Sequence, residues 1–535
     1  MTLDSFNTPS TPLPSNIACT QAIVDAPEWG RTIEQLKITG ATFVTLWGTD
    51  ERDRDNRFHI HAIFLTPTGL MLLHHPLEPR TPNPEPYPTI AQIFPAAARM
   101  ERATRDLLGI ASTAADQRPW LRHDAWPADT YPLRRDPTVC HSDPELVEGE
   151  ESPHFARAAT TPYPFIQVEG DGVHEIAVGP VHAAIIEPGH FRFSVVGEKV
   201  IRLEERFGYT HKGIAKLFES QPQHSAHRLA ARVSGDSAIA FSWAYCAALE
   251  AVTATLCPLR ASRLRALALE HERLANHLGD LGALGNDAGF AFGLTQFSRL
   301  KEDLLRANQA AFGARYLLDY VIPGGVATDL PQDAYAHLIH LYRILDREVA
   351  DLCAIYDEHG GLQDRFREAG HLSLNQAEEL GAIGLVARAS GIAQDLRIDH
   401  PFPPYDALAT QIVTETTGDV AARVQVRFRE VFESLRLCRA LLADLSHTSV
   451  EAAPIVIPVP TAEPDRIGIG IIEGWRGPVL IALETGPNHT IRRCHAHDPS
   501  WQNWPLIEYA LLGNIVPDFP LINKSFNLSY SGPDG

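Results

Sequence analysis

Cysteine is scarce and scattered in this 535-residue chain. Its seven cysteines stand at positions 19, 140, 246, 257, 353, 438 and 494, and none forms a CxxC pair. A zinc site or iron–sulfur cluster held by this chain through paired thiolates is therefore not expected. An odd, unclustered set reads as reduced thiols, not as a disulfide framework. Lysine is rarer still, with six among 46 basic residues, which we read as genome composition. The net charge is −20, and without a basic face no nucleic-acid partner is expected. Long apolar runs are missing too. The longest uncharged, mainly apolar stretch is Ser237–Leu249, far short of the ~20 residues that span a bilayer. No Lys or Arg precedes Arg31 and no apolar segment follows it, so no signal peptide is expected and the chain reads as cytosolic. There is no P-loop, GxGxxG, HExxH or GxSxG string, which removes the common nucleotide, zinc-protease and hydrolase readings.

What is present is an ordinary globular composition, 44% hydrophobic and 21% charged, long enough for two to four domains. Residues 1–20, rich in Ser, Thr and Pro, read as a flexible arm. From 21 to 135 the pattern predicts a small α/β domain: strands in GATFVTLWGTD and RFHIHAIFLTP, a proline-rich connector PLEPRTPNPEPYP, and a helix over IAQIFPAAARMERATRDLLGI. Residues 136–162 are acidic and proline-bearing and read as a linker. From 163 to 535 a mainly helical bundle with flanking β-hairpins is predicted, so the fold class is α+β. One hairpin turns at Gly197-Glu198 and another lies around Glu473–Gly477. Leu264, Leu267, Leu274, Leu278 and Leu281 make a helical stripe, as do Phe428, Val431, Leu435, Cys438, Leu442 and Leu445, each suggesting a helix with one apolar face.

Function has to come from larger constellations. The strings VGPVHAAIIEPGHFRF, FGYTHKGIAKLFE, RVSGDSAIAFSWAYCAALEA, LEHERLANHLGDLGALGNDAGF, IPGGVATDLP, RASGIAQDLRIDHPFPPYD, TGDVAARVQVRFREVFESLR and EGWRGPVL follow one another in this order. Together they resemble the family shared by the 49-kDa quinone-site subunit of respiratory complex I and the large subunit of group 4 nickel–iron hydrogenases. FPAAARMERATRDLLGI with YPLRRDP resembles the 30-kDa complex I subunit. The fusion of the two parts is similar to the formate hydrogenlyase-type large subunit. The resemblance implies a membrane-associated, multi-subunit oxidoreductase of the NADH-quinone oxidoreductase or hydrogenase type, peripheral on the cytoplasmic side of the inner membrane. It implies as partners an iron–sulfur small subunit similar to the 20-kDa complex I subunit, a ferredoxin-like subunit and hydrophobic membrane subunits, with electron transfer linked to proton translocation.

In the hydrogenases two CxxC pairs, in RVCGICxxxH and DPCxxC, hold nickel and iron. Here the matching strings are RVSGDS and NLSYSG, so the four ligand positions are Ser234, Ser237, Ser529 and Gly532. Nickel–iron chemistry needs soft thiolates, so no metal is expected on this chain. In the complex I subunit the same cavity holds a quinone. That resemblance implies Tyr245, His182 and the displaced candidate His190 as the catalytic, quinone-contacting set, with His211 in GYTHKG orienting the site; a Tyr hydroxyl and an imidazole can hydrogen-bond a quinone and supply its protons. The alternative is a non-catalytic scaffold that couples an electron-input module to ion-translocating membrane subunits. Glu270, Glu272, His277, Asp280 and Asp287 crowd one helix. They read either as a solvated face or as buried acids that pass protons or conformational change to membrane partners. Arg388, Asp395 and Arg397 read as an ion-paired loop under the site. Glu101, Asp106 and Tyr131–Asp136 read as a docking surface.

Overall fold

The computed structural model describes residues 10–80, 83–123, 126, 130–135, 163–183, 186–447 and 454–535. The expected linker, 136–162, lies outside them. The N-terminal module is a five-stranded sheet in the order Ser10–Pro12, Cys19–Ile23, Gly69–Leu77, Phe58–Thr66, Thr42–Asp50, with Cys19–Ile23 parallel to Gly69–Leu77 and the other pairs antiparallel. Residues 10–20 are thus no loose arm. They supply the edge of this sheet, and Asn16 exchanges two hydrogen bonds with the backbone of Ile471, 2.8 and 2.9 Å. Sequence composition missed this because the pairing partners are remote. The predicted helix over 90–110 starts late, at Ala97, and runs to Leu108. Pro95 has no backbone N–H to give a helix. Its acids do not form a docking surface: Glu101 accepts from Ile90 N and the Ser112 hydroxyl, and Asp106 accepts from Trp120, Leu121 and Arg122 N. Both fasten the module's own loops.

The second module carries two three-stranded sheets. Val173–Val178, His190–Val196 and Lys199–Arg206 form one, turning at the predicted Gly197-Glu198, and Ile467–Glu473, Pro478–Thr485 and Ile491–His497 form the other. Between them stand long helices, chiefly Ala238–Val252, Leu259–Asp287, Ala291–Phe312, Ala334–Glu358 and Val420–His447. Leu259–Asp287 is not a one-faced helix. Residues all round its circumference are buried, because it runs through the centre of the bundle against both Ala291–Phe312 and Val420–His447. Gly468 and Gly470 let the second sheet lie on helix Ala238–Val252: a Cβ on Gly470 would stand 1.9 Å from Ala244 O. One apolar core runs continuously through both modules, from Trp29 and Phe64 to Leu435 and Phe526. Among the described residues no helix is long and apolar enough to cross a membrane.

Candidate functional site

The four expected ligand positions converge. Helix Ala238–Val252 starts just after Ser237, and its first N–H groups are met by a neighbouring side chain: Glu272 accepts from Ile239 N at 2.6 Å and from Ala240 N at 3.3 Å. Burial pushes the Glu272 carboxyl up to about 8. On the opposite side, helix Phe519–Phe526 ends at Asn527 in the left-handed region, φ 44°. That turn sends Leu528–Gly532 beneath the start of the first helix. Ser234 Oγ and Ser529 Oγ lie 2.9 Å apart, 295 residues separated in sequence. Ser529 Oγ also accepts from Gly532 N, 2.9 Å, and Ser234 Oγ donates to Asp236 Oδ1, 2.8 Å. Ser237 Oγ lies at 3.5 Å from the same oxygen. Asp236 is clamped by both Nη atoms of Arg476, 2.7 and 2.5 Å. Asp498 is fully buried beside Gly532, with Oδ1 accepting from Ser500 N and Oδ2 without a partner.

These residues do not fit a nickel–iron centre. The hydroxyls satisfy one another where ligands would have to face a metal, and hydroxyls are hard, scarcely ionised donors. No group of three or more His, Cys, Asp or Glu that could hold a metal occurs among the described residues. Asp236, Arg476 and Asp498 complete the cluster and were not singled out from the sequence. Asp236 and Arg476 sit inside RVSGDS and EGWRGPVL, but only the fold shows that the two strings meet.

The expected quinone set does not form one pocket wall. Tyr245 is fully buried, and its hydroxyl donates to Gln223 O at 2.6 Å. It stacks near Phe218 and is an anchor between helix and loop. His182 Nε2 is bonded to Gly189 O, 2.8 Å, and His190 Nδ1 to Gly179 O, 3.3 Å. Both brace the loop before strand His190–Val196, and burial lowers the His190 imidazole. His211 Nδ1 is 2.6 Å from Asp534 O, and Asp534 in turn accepts from Gly208 N, Thr210 N and the Thr210 hydroxyl. His211 therefore pins the C-terminal tail. The resemblance placed these residues in one cavity. In the structure each has one polar atom on a backbone group, and His190 Nε2 is buried without a partner.

The crowded acids are not a solvated face, except for Asp287, which is exposed. Glu270, His277 and Asp280 are buried in an ion-pair network. Glu270 accepts from Arg273, Arg397, Tyr405 and Ser434 at 3.2, 3.0, 2.6 and 2.7 Å. His277 meets Glu430 at 2.7 Å, and Glu430 meets Arg388 at 2.8 Å. Arg388 reaches Glu473 at 3.1 Å, and Asp395 holds Arg397 bidentately. Asp280 pairs with Arg427 at 3.0 Å and accepts from Asn527 at 2.6 Å. The expected ion-paired loop of Arg388, Asp395 and Arg397 is part of this network.

Two cavities lie between the modules. One, about 160 Å³, is walled mainly by apolar side chains from both, together with Trp47, His61, His74 and His495. Trp47 stacks on His61 and on His495, centroids 5.0 and 4.5 Å apart. Thr49–His61–His74–Gln21 and Thr45–His495 form hydrogen-bonded runs. Burial keeps these imidazoles neutral, lowering His74 to about 4 and His495 to about 3. The other cavity, about 340 Å³, has Asp395 and Glu473 at its wall.

Comparison with known proteins fits this architecture. Residues 22–141 match the family "Respiratory-chain NADH dehydrogenase, 30 Kd subunit", and residues 287–466 match "Respiratory-chain NADH dehydrogenase, 49 Kd subunit". The chain is 31% identical to Formate hydrogenlyase subunit 5 of Escherichia coli over 499 residues, 92% of this chain and 85% of that one. It is 26% identical to the fused C/D component of the NADH-quinone oxidoreductase of Bacteroides thetaiotaomicron, covering 91% of this chain and 93% of that one. A protein in the structure of the membrane-bound sulfane sulfur reductase, an archaeal respiratory membrane complex, superposes with a TM-score of 0.63 at 25% identity, over 68% of this chain and 99% of that one. The chain belongs to the family of fused 30-kDa/49-kDa subunits that unites complex I with the formate hydrogenlyase-type hydrogenases.

Proposed function

We propose that this chain is a coupling subunit of a membrane-associated, complex I-like or hydrogenase-related oxidoreductase, without a nickel–iron centre of its own. The direct Ser234–Ser529 hydrogen bond, with Gly532 N on the same oxygen, supports this reading: hydroxyls engaged with one another stand where soft thiolates would be needed. The family supports the assembly. The chain would sit at the membrane through partner subunits, on the cytoplasmic side, against an iron–sulfur small subunit and a ferredoxin-like subunit that bring electrons, with hydrophobic ion-translocating subunits below. The engaged hydroxyl of Tyr245 favours this scaffold reading over a quinone site built from Tyr245, His182 and His190. The test is isolation of the intact complex through a tag on this chain, followed by elemental analysis and an acceptor-reductase assay. Expected are co-purified iron–sulfur and membrane subunits, nickel far below one per chain, and acceptor reduction unchanged in Tyr245→Phe. About one nickel per chain, or loss of acceptor reduction in Tyr245→Phe with the complex still assembled, overturns it.

A further inference from the structure

The buried network below the serine cluster has an uneven charge count. Within it Glu270, Asp395, Glu430 and Glu473 face three guanidinium groups, Arg273, Arg388 and Arg397, and all seven side chains are at most 4% exposed. The nearby Arg427 and Lys524 share Asp280, at 3.0 and 3.5 Å, and Arg476 is paired with Asp236; none of the three makes an ion pair with these four carboxylates. Among the seven side chains in direct ion-pair contact, four carboxylates share three guanidiniums, so one carboxylate is left without a cation of its own, and an uncompensated charge in the interior is costly. A bound proton removes it.

The geometry says where the proton sits. His277 is the first alternative. Its Nε2 faces Glu430, but its Nδ1 is buried with no partner; an imidazolium would carry an orphaned N–H there, whereas the neutral ring leaves only a bare nitrogen. Among the carboxyls, Glu270 has four donors. Asp395 has a bidentate guanidinium and a backbone N–H. Glu430 has Arg388 Nε and His277, 2.8 and 2.7 Å. Glu473 is served least. It has one Nη of Arg388 at 3.1 Å, which Asp395 shares at 3.8 Å, and Leu396 N at 3.3 Å.

Glu473 is also the member of the network with a route to solvent besides Asp395. Both line the 340 Å³ cavity between the modules, whose rim residues Gly40, Pro67, Gln394 and Asp399 are exposed. His400 and Asp399 stand at that wall as well. We infer that this network is a proton-binding site, holding one exchangeable proton on the Glu473 carboxyl and trading it with water through the cavity between the two modules. The groups facing Glu473 are Arg388 from helix Gly384–Ala389, Asp395 and Arg397 from the cap and first turn of the short helix Leu396–Asp399, and Arg273 from the central helix, with Glu270 and Glu430 behind them. Burial first, and the Asp395 charge next, hold the carboxyl above its ordinary range against the pull of those guanidiniums. A separate pair, Asp280 with Arg427, lies on the same two helices, and Asp280 accepts from Asn527, two residues before Ser529.

The site is tested by infrared difference spectroscopy and proton counting on the full chain in its complex, titrated through neutral pH. A protonated-carboxyl carbonyl band that shifts in heavy water is expected, with one proton per chain released as the band disappears. With the buried Glu272 carboxyl removed by Glu272→Gln as the common background, Glu473→Gln is expected to remove the remaining neutral-range band and that proton while thermal stability is kept, since Gln mimics the neutral acid. Glu473→Asp, which keeps a titrating carboxyl should the amide disturb folding, is expected to move the band and not abolish it. Thr42→Trp, which plugs the cavity wall, is expected to slow heavy-water exchange of the band at least tenfold. In the Glu272→Gln background, a neutral-range band that Glu473→Gln leaves unchanged, a proton that titrates as an imidazole of His277, no band before Glu473 is changed, or unchanged exchange in Thr42→Trp overturns the inference.

Discussion

A Cβ built on Gly532 would stand 2.6 Å from Cγ and 2.8 Å from Cβ of Asp498, nearer than carbons approach without displacement. Asp498 has little room to yield, being fully buried with Oδ1 held by Ser500 N at 2.8 Å. The last of the four former ligand positions therefore rejects any side chain, a thiol included. Gly532→Ala is expected to cost about 1–3 kcal/mol of stability by overpacking. In an Asp498→Gly background, where the colliding atoms are gone, at least half of that cost should vanish, so the two substitutions should be strongly non-additive in denaturant unfolding. Additive effects would show that the tail, and not Asp498, moves aside.

At the scale of elements, the strands Phe58–Thr66, Gly69–Leu77 and Ile491–His497 bring His61, His74 and His495 to the seam between the modules. Burial holds all three below the ordinary imidazole value. In the unfolded chain they titrate near 6.5. Below that pH the unfolded state binds more protons than the folded one, so stability falls as pH drops from about 6.5 towards about 4 and is fully present above it. Each imidazole contributes a slope of up to about 1.4 kcal/mol per pH unit in that window. Thermal unfolding followed from pH ~7 to pH ~5 should show this decline, and His495→Gln should flatten it by about one proton; an unchanged slope would place the titration elsewhere. Elements such as these were legible in part. The hairpin at Gly197-Glu198 and the one ending at Glu473 could be read from alternation and turn residues, and so could the long helices. The strand Ile491–His497 was not read, since Arg, His and Cys alternate there without an apolar face. The central helix announced its apolar stripe but not its full burial, because Glu270, His277 and Asp280 find their partners on Val420–His447 and on loops more than a hundred residues away. The serine cluster was legible as four positions, through family resemblance alone. That Tyr245 turns its hydroxyl to Gln223 O was not, since nothing local dictates it.

For the molecule as a whole, the seam decides whether two modules behave as one body. It is crossed by Arg99 to Glu205 and Glu508 at 2.8 and 2.7 Å, by Arg118 to Glu204, and by Arg492 to Asp53 and Glu51 at 2.7 and 3.0 Å. Arg493 adds a pair to Glu51, and Gln502 donates to Val44 O. Several of these charges are half-buried, where screening by salt is weaker than on an open surface. Behind them the apolar core is continuous, so the only covalent link need not be intact for the halves to stay together. A protease is expected to cut first within residues 136–162, whose acidic, proline-bearing sequence lies between the modules. The two pieces should then co-elute at neutral pH and moderate salt, and separate only in acid, where parting the seam lets its buried histidines bind protons. Size-exclusion chromatography of the nicked chain at pH ~7 and pH ~5 checks this. Fragments that part at neutral pH would mean that the connecting segment, rather than the seam, holds the modules in register. The continuity of the sheet edge from Asn16 to Ile471 would then be too weak to transmit anything between them.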